Sequence, residues 1–168
     1  MVGLPGISAG GADAEAAFVE LTGAKKAERA ALGDAVLDGH YIEVKQANSS
    51  TLNQVRAVKY ITLVAYYVPD SEWFVVPANE IVRQCSLKMR GQHTENPFES
   101  ATLNLRRLSN YVVDDEMELR ERVLAAIAEA AKYADLAELM ANVLKQSKAL
   151  ADQSAEEVRE ALERHGLV

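Results

Sequence analysis

The sequence predicts an α/β (α+β) chain: a small mixed β-sheet flanked by helices, followed by a C-terminal helical extension. Three observations carry that prediction. Two short apolar runs, residues 34–38 and 40–46, are separated by Asp38-Gly39, a dipeptide suited to a tight hairpin turn. Two more runs, 62–68 (TLVAYYV) and 73–76, lie on either side of the turn signal Pro69-Asp70-Ser71-Glu72. From Asp114 onward, apolar residues recur at helical spacing.

The elements follow in order. Residues 1–11 are Gly-rich and read as loose. Ala16, Val19 and Leu21 give an apolar side to a helix from Ala12 to about Arg29, with Gly23 as a break. The hairpin follows. Asn48-Ser49-Ser50-Thr51 reads as a helix start, and Leu52, Val55 and Val58 predict a helix over residues 51–61. The strands 62–68 and 73–76 come next. Pro77 opens a short helical or irregular piece through Cys85. Residues 86–100 (SLKMRGQHTENPFES) lack periodicity and read as a loop, long enough to suggest a functional one. Residues 98–108 are expected to form a short helix or strand.

Asp114-Asp115-Glu116 then suits a helix N-terminus through the helix dipole. Leu119, Val123 and Ile127, then Leu136, Leu139, Met140, Val143 and Leu144, form an amphipathic stripe. A capping box from Ser154 to Glu157 starts the last helix, and Gly166 stops it. This divides the chain into a core, residues 1–112, and a helical extension, 113–168, that packs on the core or forms a dimer interface.

A length of 168 residues suits one domain with a sizeable core. Hydrophobic residues make up 49% and charged residues 26%, an ordinary globular balance. No apolar run approaches the roughly 20 residues of a membrane span, so no membrane association is expected. The start, MVGLPGISAGGADAE, lacks a basic segment and an apolar core, so no signal peptide is expected. Cys85 is the sole cysteine, which excludes an internal disulfide and a cysteine zinc site and fits a reducing, cytoplasmic setting. The net charge of −7 argues against a nucleic-acid binder until its distribution is considered. Residues 45–110 carry a net charge of +3, and the acid lies toward the two ends.

The chemistry concentrates in residues 33–48, GDAVLDGHYIEVKQAN. Residues two apart on a strand share a face, so Glu43 and Lys45 point one way and Ile42 and Val44 the other. Asp34, at the start of the paired strand, reaches the same edge as Glu43. Two converging carboxylates are unfavourable unless a cation joins them. Hard oxygen ligands suit Mg²⁺, with Mn²⁺ as a substitute, and the Val44 carbonyl adds a third ligand. Lys45 beside the metal would orient the attacking water or stabilise developing charge. The alternative is a surface hairpin whose Glu43 and Lys45 are simply solvated.

Asp34, eight residues, Glu43, one residue, Lys45 resembles the D…(D/E)xK motif of the PD-(D/E)xK nuclease superfamily, which includes many type II restriction endonucleases and archaeal-type Holliday junction resolvases. The resemblance covers about residues 11–76. Gly11-x-x-x-Glu15 is similar to the first helix of the family, whose Glu often supports the metal or a water, and Gln54 falls where the family often has a polar helix residue. Gly33 stands where the family often has Pro.

The resemblance implies a restriction-endonuclease-like core and a Mg²⁺-dependent endonuclease cutting double-stranded DNA. It further implies a sequence-specific restriction enzyme of a restriction-modification system, working as a homodimer. Asp34 and Glu43 would bind metal with the Val44 carbonyl, Lys45 would assist the water, and Glu15 would support. Other readings are a junction resolvase or RNA-cleaving toxin on the same fold, and a non-catalytic nucleic-acid-binding module.

Further residues offer contacts to DNA. Gln46 and Gln54 suit a water or the backbone, and Arg56 and Lys59 suit phosphate. In the loop, Lys88, Arg90, Gln92, His93, Thr94 and Asn96 offer donors and acceptors for phosphates and base edges. Tyr66, Tyr67, Trp73 and Phe74 read as core or sheet-face residues.

Overall fold

The computed structural model describes residues 11–88, 96–145 and 151–168. Its elements are α1 (Gly11–Thr22), β1 (Lys25–Lys26), β2 (Ala35–Leu37), β3 (His40–Ala47), β4 (Thr51–Val55), β5 (Thr62–Tyr67), β6 (Glu72–Val76), α2 (Ala78–Leu87), β7 (Ala101–Asn104), β8 (Val112–Val113), α3 (Leu119–Ala131), α4 (Ala134–Lys145) and α5 (Ala151–Arg164). The six-stranded sheet has the order β1-β2-β3-β5-β6-β8, and β4 pairs with β7 in a separate two-stranded ribbon. Only β3 and β5 run parallel; the other neighbours in the main sheet are antiparallel. The protein is therefore mixed α/β with a mixed sheet flanked by helices, as the sequence predicts.

The hairpin forms where expected. Asp38 and Gly39 both take positive φ, 48° and 84°, as a two-residue hairpin turn of the favoured hand requires. Its register pairs Ala35 with Ile42 and Leu37 with His40. Alternation along β3 then sorts the side chains. Ile42 and Val44 enter a core with Phe18 of α1, Trp73 of β6, and Leu119 and Val123 of α3. Ala47 enters a second core on the opposite face. That core also holds Leu63 and Ala65 of β5, Ile81 of α2, Met140 of α4 and Leu162 of α5. Glu43 and Lys45, in step with Ala47, lie on that second face. Phe18 is fully buried, and burying such a side chain contributes roughly 1.5–3 kcal/mol toward holding α1 on the sheet.

Several predicted elements need correction. The first helix ends at Thr22, and the chain turns at Gly23, φ +76°, into β1 instead of continuing to Arg29. No helix spans residues 51–61. Those residues form β4 and a 3₁₀ turn at Ala57–Lys59. The cause is a bulge: the β4–β7 register shifts between Leu52 and Val55, with Gln54 at φ 55°. One inserted residue turns the strand's two-residue repeat into a spacing of three, which mimics a helix. Pro77 opens a full helix, α2, that takes in Ser86 and Leu87 from the predicted loop. The last helix starts at Ala151, before Ser154. Its end is as predicted: Gly166 takes φ +69°, and Leu167 N–H donates to the Leu162 carbonyl at 2.9 Å.

Tyr66, Trp73 and Phe74 are buried, in line with the reading as core residues. Cys85 is also buried, and burial pushes its thiol up to about 12, which makes it a packing residue. Among the described residues, no helix is long and apolar enough to cross a membrane.

Gly33 fixes how closely the chain approaches β3. A Cβ there would lie 3.1 Å from the Cβ of Tyr41 and 3.2 Å from the Ile42 carbonyl oxygen. Strand backbone cannot yield as a side chain can. Gly33→Ala is therefore expected to destabilise the fold by about 1–3 kcal/mol, read as a lowered denaturant midpoint.

Candidate functional site

β2 ends short of β3. Beyond Ile42, the β2-facing edge of β3 has no strand partner among the described residues, while its other edge pairs with β5 through Ala47. Asp34 sits at this step. Its N–H donates to the Ile42 carbonyl at 2.9 Å, one residue out of step with the Ala35–Ile42 pairing. Its Oδ2 accepts from the Val44 N–H at 2.8 Å. Asp34 thus takes the first backbone donor of the open edge. Backbone groups of alternate residues point to the same side of a strand, so the Val44 carbonyl faces this edge too.

Glu43 and Lys45 flank Val44 on the sheet face. Both are half-buried. They share a narrow crevice with Val55, Arg56, Leu63 and Ile81. Glu43 Oε2 accepts from Lys59 Nζ at 3.2 Å, with side-chain exposures of 24% and 17%. Lys59 comes from the 3₁₀ turn in the β3–β5 crossover. It was expected to meet phosphate and instead neutralises Glu43.

Glu15 of α1 completes the group. Its carboxyl titrates above the ordinary value of 4.5, first because burial disfavours its charge. The nearby charges of Asp34 and Glu43 raise it further, and Lys26 opposes them. Asp34 at the foot of β2 and Glu43 in the middle of β3 therefore both act on Glu15 of α1. Lys26 went unnoticed in the sequence, where Lys25-Lys26 reads as ordinary surface charge. Among the described residues, no three His, Cys, Asp or Glu side chains lie close enough together to hold a metal ion on their own.

A raised native pKa means that the folded state binds the proton more tightly than the unfolded state. Its contribution to stability is present below pH 4.5 and lost as pH rises through the native value. Glu15→Gln is therefore expected to melt a degree or so above the wild type at neutral pH without divalent ions, solvent at this partly exposed site keeping the gain small. The difference should vanish toward pH 4.5. Scanning calorimetry at the two pH values checks both the sign and its pH dependence.

The other predicted contacts are dispersed. Gln46 lines an open groove of about 510 Å³ with Lys45, Asn48 and Ser49. Gln54 is exposed on the ribbon, not on a helix. Arg56 is exposed, and its Nε donates to the Glu99 carbonyl at 3.1 Å. Lys88 caps the C-terminus of α2. Asn96 Oδ1 accepts from the Phe98 N–H at 3.0 Å, shaping its own turn. Arg90, Gln92, His93 and Thr94 lie outside the described residues.

Comparison with family models, with curated proteins and with solved structures gives no match to this chain.

Proposed function

We propose that this chain is a Mg²⁺-dependent endonuclease of the PD-(D/E)xK type, with a restriction-endonuclease-like core, acting on double-stranded DNA. The observation that carries this reading is the Asp34–Val44 hydrogen bond. It fixes one carboxylate on an open strand edge, beside a second on Glu43, with Lys45 two residues further on. The donor set fits a hard cation: two carboxylates and a backbone carbonyl are what Mg²⁺ takes when water and substrate phosphate fill its remaining positions. Besides burial, Asp34 and Glu43 repel the Glu15 charge, and a cation would relieve that repulsion, which supports the same reading.

Asp34 and Glu43 would hold the ion, with the Val44 carbonyl beside them. When bound, the cation supplies charge neutralisation and a more acidic water. Lys45 places an ammonium beside the reacting phosphate, where it orients the water and offsets developing negative charge. Glu15, from α1, would support the ion or a bound water. Within this reading, the narrower assignment is a sequence-specific restriction enzyme acting as a homodimer.

Lys59 has a consequence here. Its ammonium competes with a cation for Glu43. Lys59→Met is expected to tighten Mn²⁺ binding about threefold to tenfold, measured by calorimetric titration, because a competing charge is removed.

The deciding experiment incubates the protein with unmethylated plasmid and phage DNA in Mg²⁺, beside an EDTA control. Discrete fragments that EDTA abolishes establish a sequence-specific endonuclease. A metal-dependent smear keeps the nuclease and removes the restriction assignment. DNA left intact under all conditions overturns the proposal.

A further inference from the structure

The sequence allows a strand within residues 98–108 but does not pair it with residues 51–55, and the outward face of the β4–β7 ribbon is chemically unusual for this chain. Its inner residues Leu52, Val55, Ala101 and Leu103 are buried in the core, so the ribbon is anchored along its length. Its outer residues, among them Asn53, Gln54, Thr102 and Asn104, are exposed. Acidic residues number 25 in 168, yet none occurs between Glu43 and Asp70 or between Glu99 and Asp114. Both ribbon strands fall within those two acid-free stretches.

The hydrogen bonds leave two amide donors on this face, beside the Thr102 hydroxyl, whose proton is already given to Asn53. Asn53 Oδ1 accepts from the Thr102 hydroxyl at 3.3 Å, and Asn104 Oδ1 accepts from the Arg106 N–H at 2.9 Å. Each amide oxygen accepts one internal bond, and the two NH₂ groups remain as outward donors. Register sets an exposed arginine at each end. Val55 pairs with Ala101, so Arg56 follows at one end; Thr51 pairs with Asn104, so Arg106 follows at the other. A strand of this length spans about 15 Å, or roughly four base pairs of duplex rise. The groove that Lys45 lines runs through Asn48 and Ser49 to Thr51 and Asn53, joining the ribbon to the candidate site.

We propose that the outer face of the β4–β7 ribbon, ended by Arg56 and Arg106, is a binding surface for the phosphate backbone of duplex DNA. The inference rests on the nuclease reading and adds to it the surface that holds the substrate. An array of donors on strands without acidic residues, with Glu99 beside Arg56 at one end, complements a polyanion on an otherwise acidic protein, and such contacts set position instead of reading sequence.

The test is fluorescence anisotropy with a labelled random-sequence duplex in Ca²⁺, the probe being recovered intact afterwards. Arg56→Ala and Arg106→Ala are each expected to weaken binding about threefold to tenfold at low salt, and each should reduce the slope of log affinity against log salt by about one. Lys145→Ala, at an exposed position of α4, should bind as the wild type does. Arg56 also bonds to the Glu99 carbonyl, so if that variant unfolds by circular dichroism, Arg106→Ala carries the test. Unchanged affinity and slope in the double variant, equal loss in Lys145→Ala, or preference for single-stranded RNA over duplex would overturn the assignment. The two readings fail separately. Cleavage in Mg²⁺ with ribbon variants that bind normally removes only the ribbon; ribbon-dependent binding without cleavage removes only the nuclease.

Discussion

Replacing Lys45 by alanine is expected to slow DNA cleavage by about two to four orders of magnitude while leaving Mn²⁺ affinity within a few-fold of the wild type. Lys45 shares the sheet face with Glu43 and lines both the crevice and the open groove, so its ammonium meets a substrate from either side. The ion pair of Glu43 goes to Lys59, not to Lys45. Truncating Lys45 therefore breaks no ion pair with Glu43, and the melting temperature should change little. Lys45→Arg keeps the charge but spreads it over a bulkier planar group, and should recover only part of the rate. Single-turnover cleavage of a labelled duplex measures all three proteins. Cleavage by Lys45→Ala at the wild-type rate would remove Lys45 from the reaction.

Asp34→Asn is expected to abolish cleavage and cation binding while keeping the fold. The asparagine carbonyl can still accept from the Val44 N–H, so the strand edge stays capped. What is lost is the negative charge. Asp34→Ala removes the acceptor as well. A partly buried N–H left unpaired costs about 1–3 kcal/mol, so the alanine variant should melt several degrees below the asparagine variant. Paired thermal melts and cleavage assays separate the two roles of this carboxylate. Loss of stability in both variants, or cleavage retained in Asp34→Asn, would contradict the assignment.

The parts of the fold that the sequence revealed are those where one local signal decides the outcome. Asp38-Gly39 set the hairpin, because only a tight turn with two positive φ values joins such strands. The hairpin in turn set the faces of Glu43 and Lys45. The run TLVAYYV could hardly be other than a buried strand. β4 was misread because a bulge at Gln54 gave Leu52, Val55 and Val58 a helical spacing, and β7, its partner, is 46 or more residues away. Pairing over that distance leaves no local trace. The site was legible in the same measure. The Asp34 and Glu43 spacing pointed to converging acids, but the Asp34 bond to Val44 depends on β2 stopping early. The Glu43–Lys59 pair depends on a 3₁₀ turn read as helix. The missing acids on either side of the ribbon were a visible signal, averaged away when charge was summed over residues 45–110.

The account stands on Asp34 and Glu43 holding a divalent cation, and calorimetric titration of Mn²⁺ into the DNA-free protein, with Asp34→Asn and Glu43→Gln beside it, tests that most directly. The account expects a saturable binding heat in the wild type that both substitutions abolish. Absence of binding in the wild type, or equal binding in all three proteins, would make the Asp34–Val44 and Glu43–Lys59 contacts purely structural and contradict the nuclease reading.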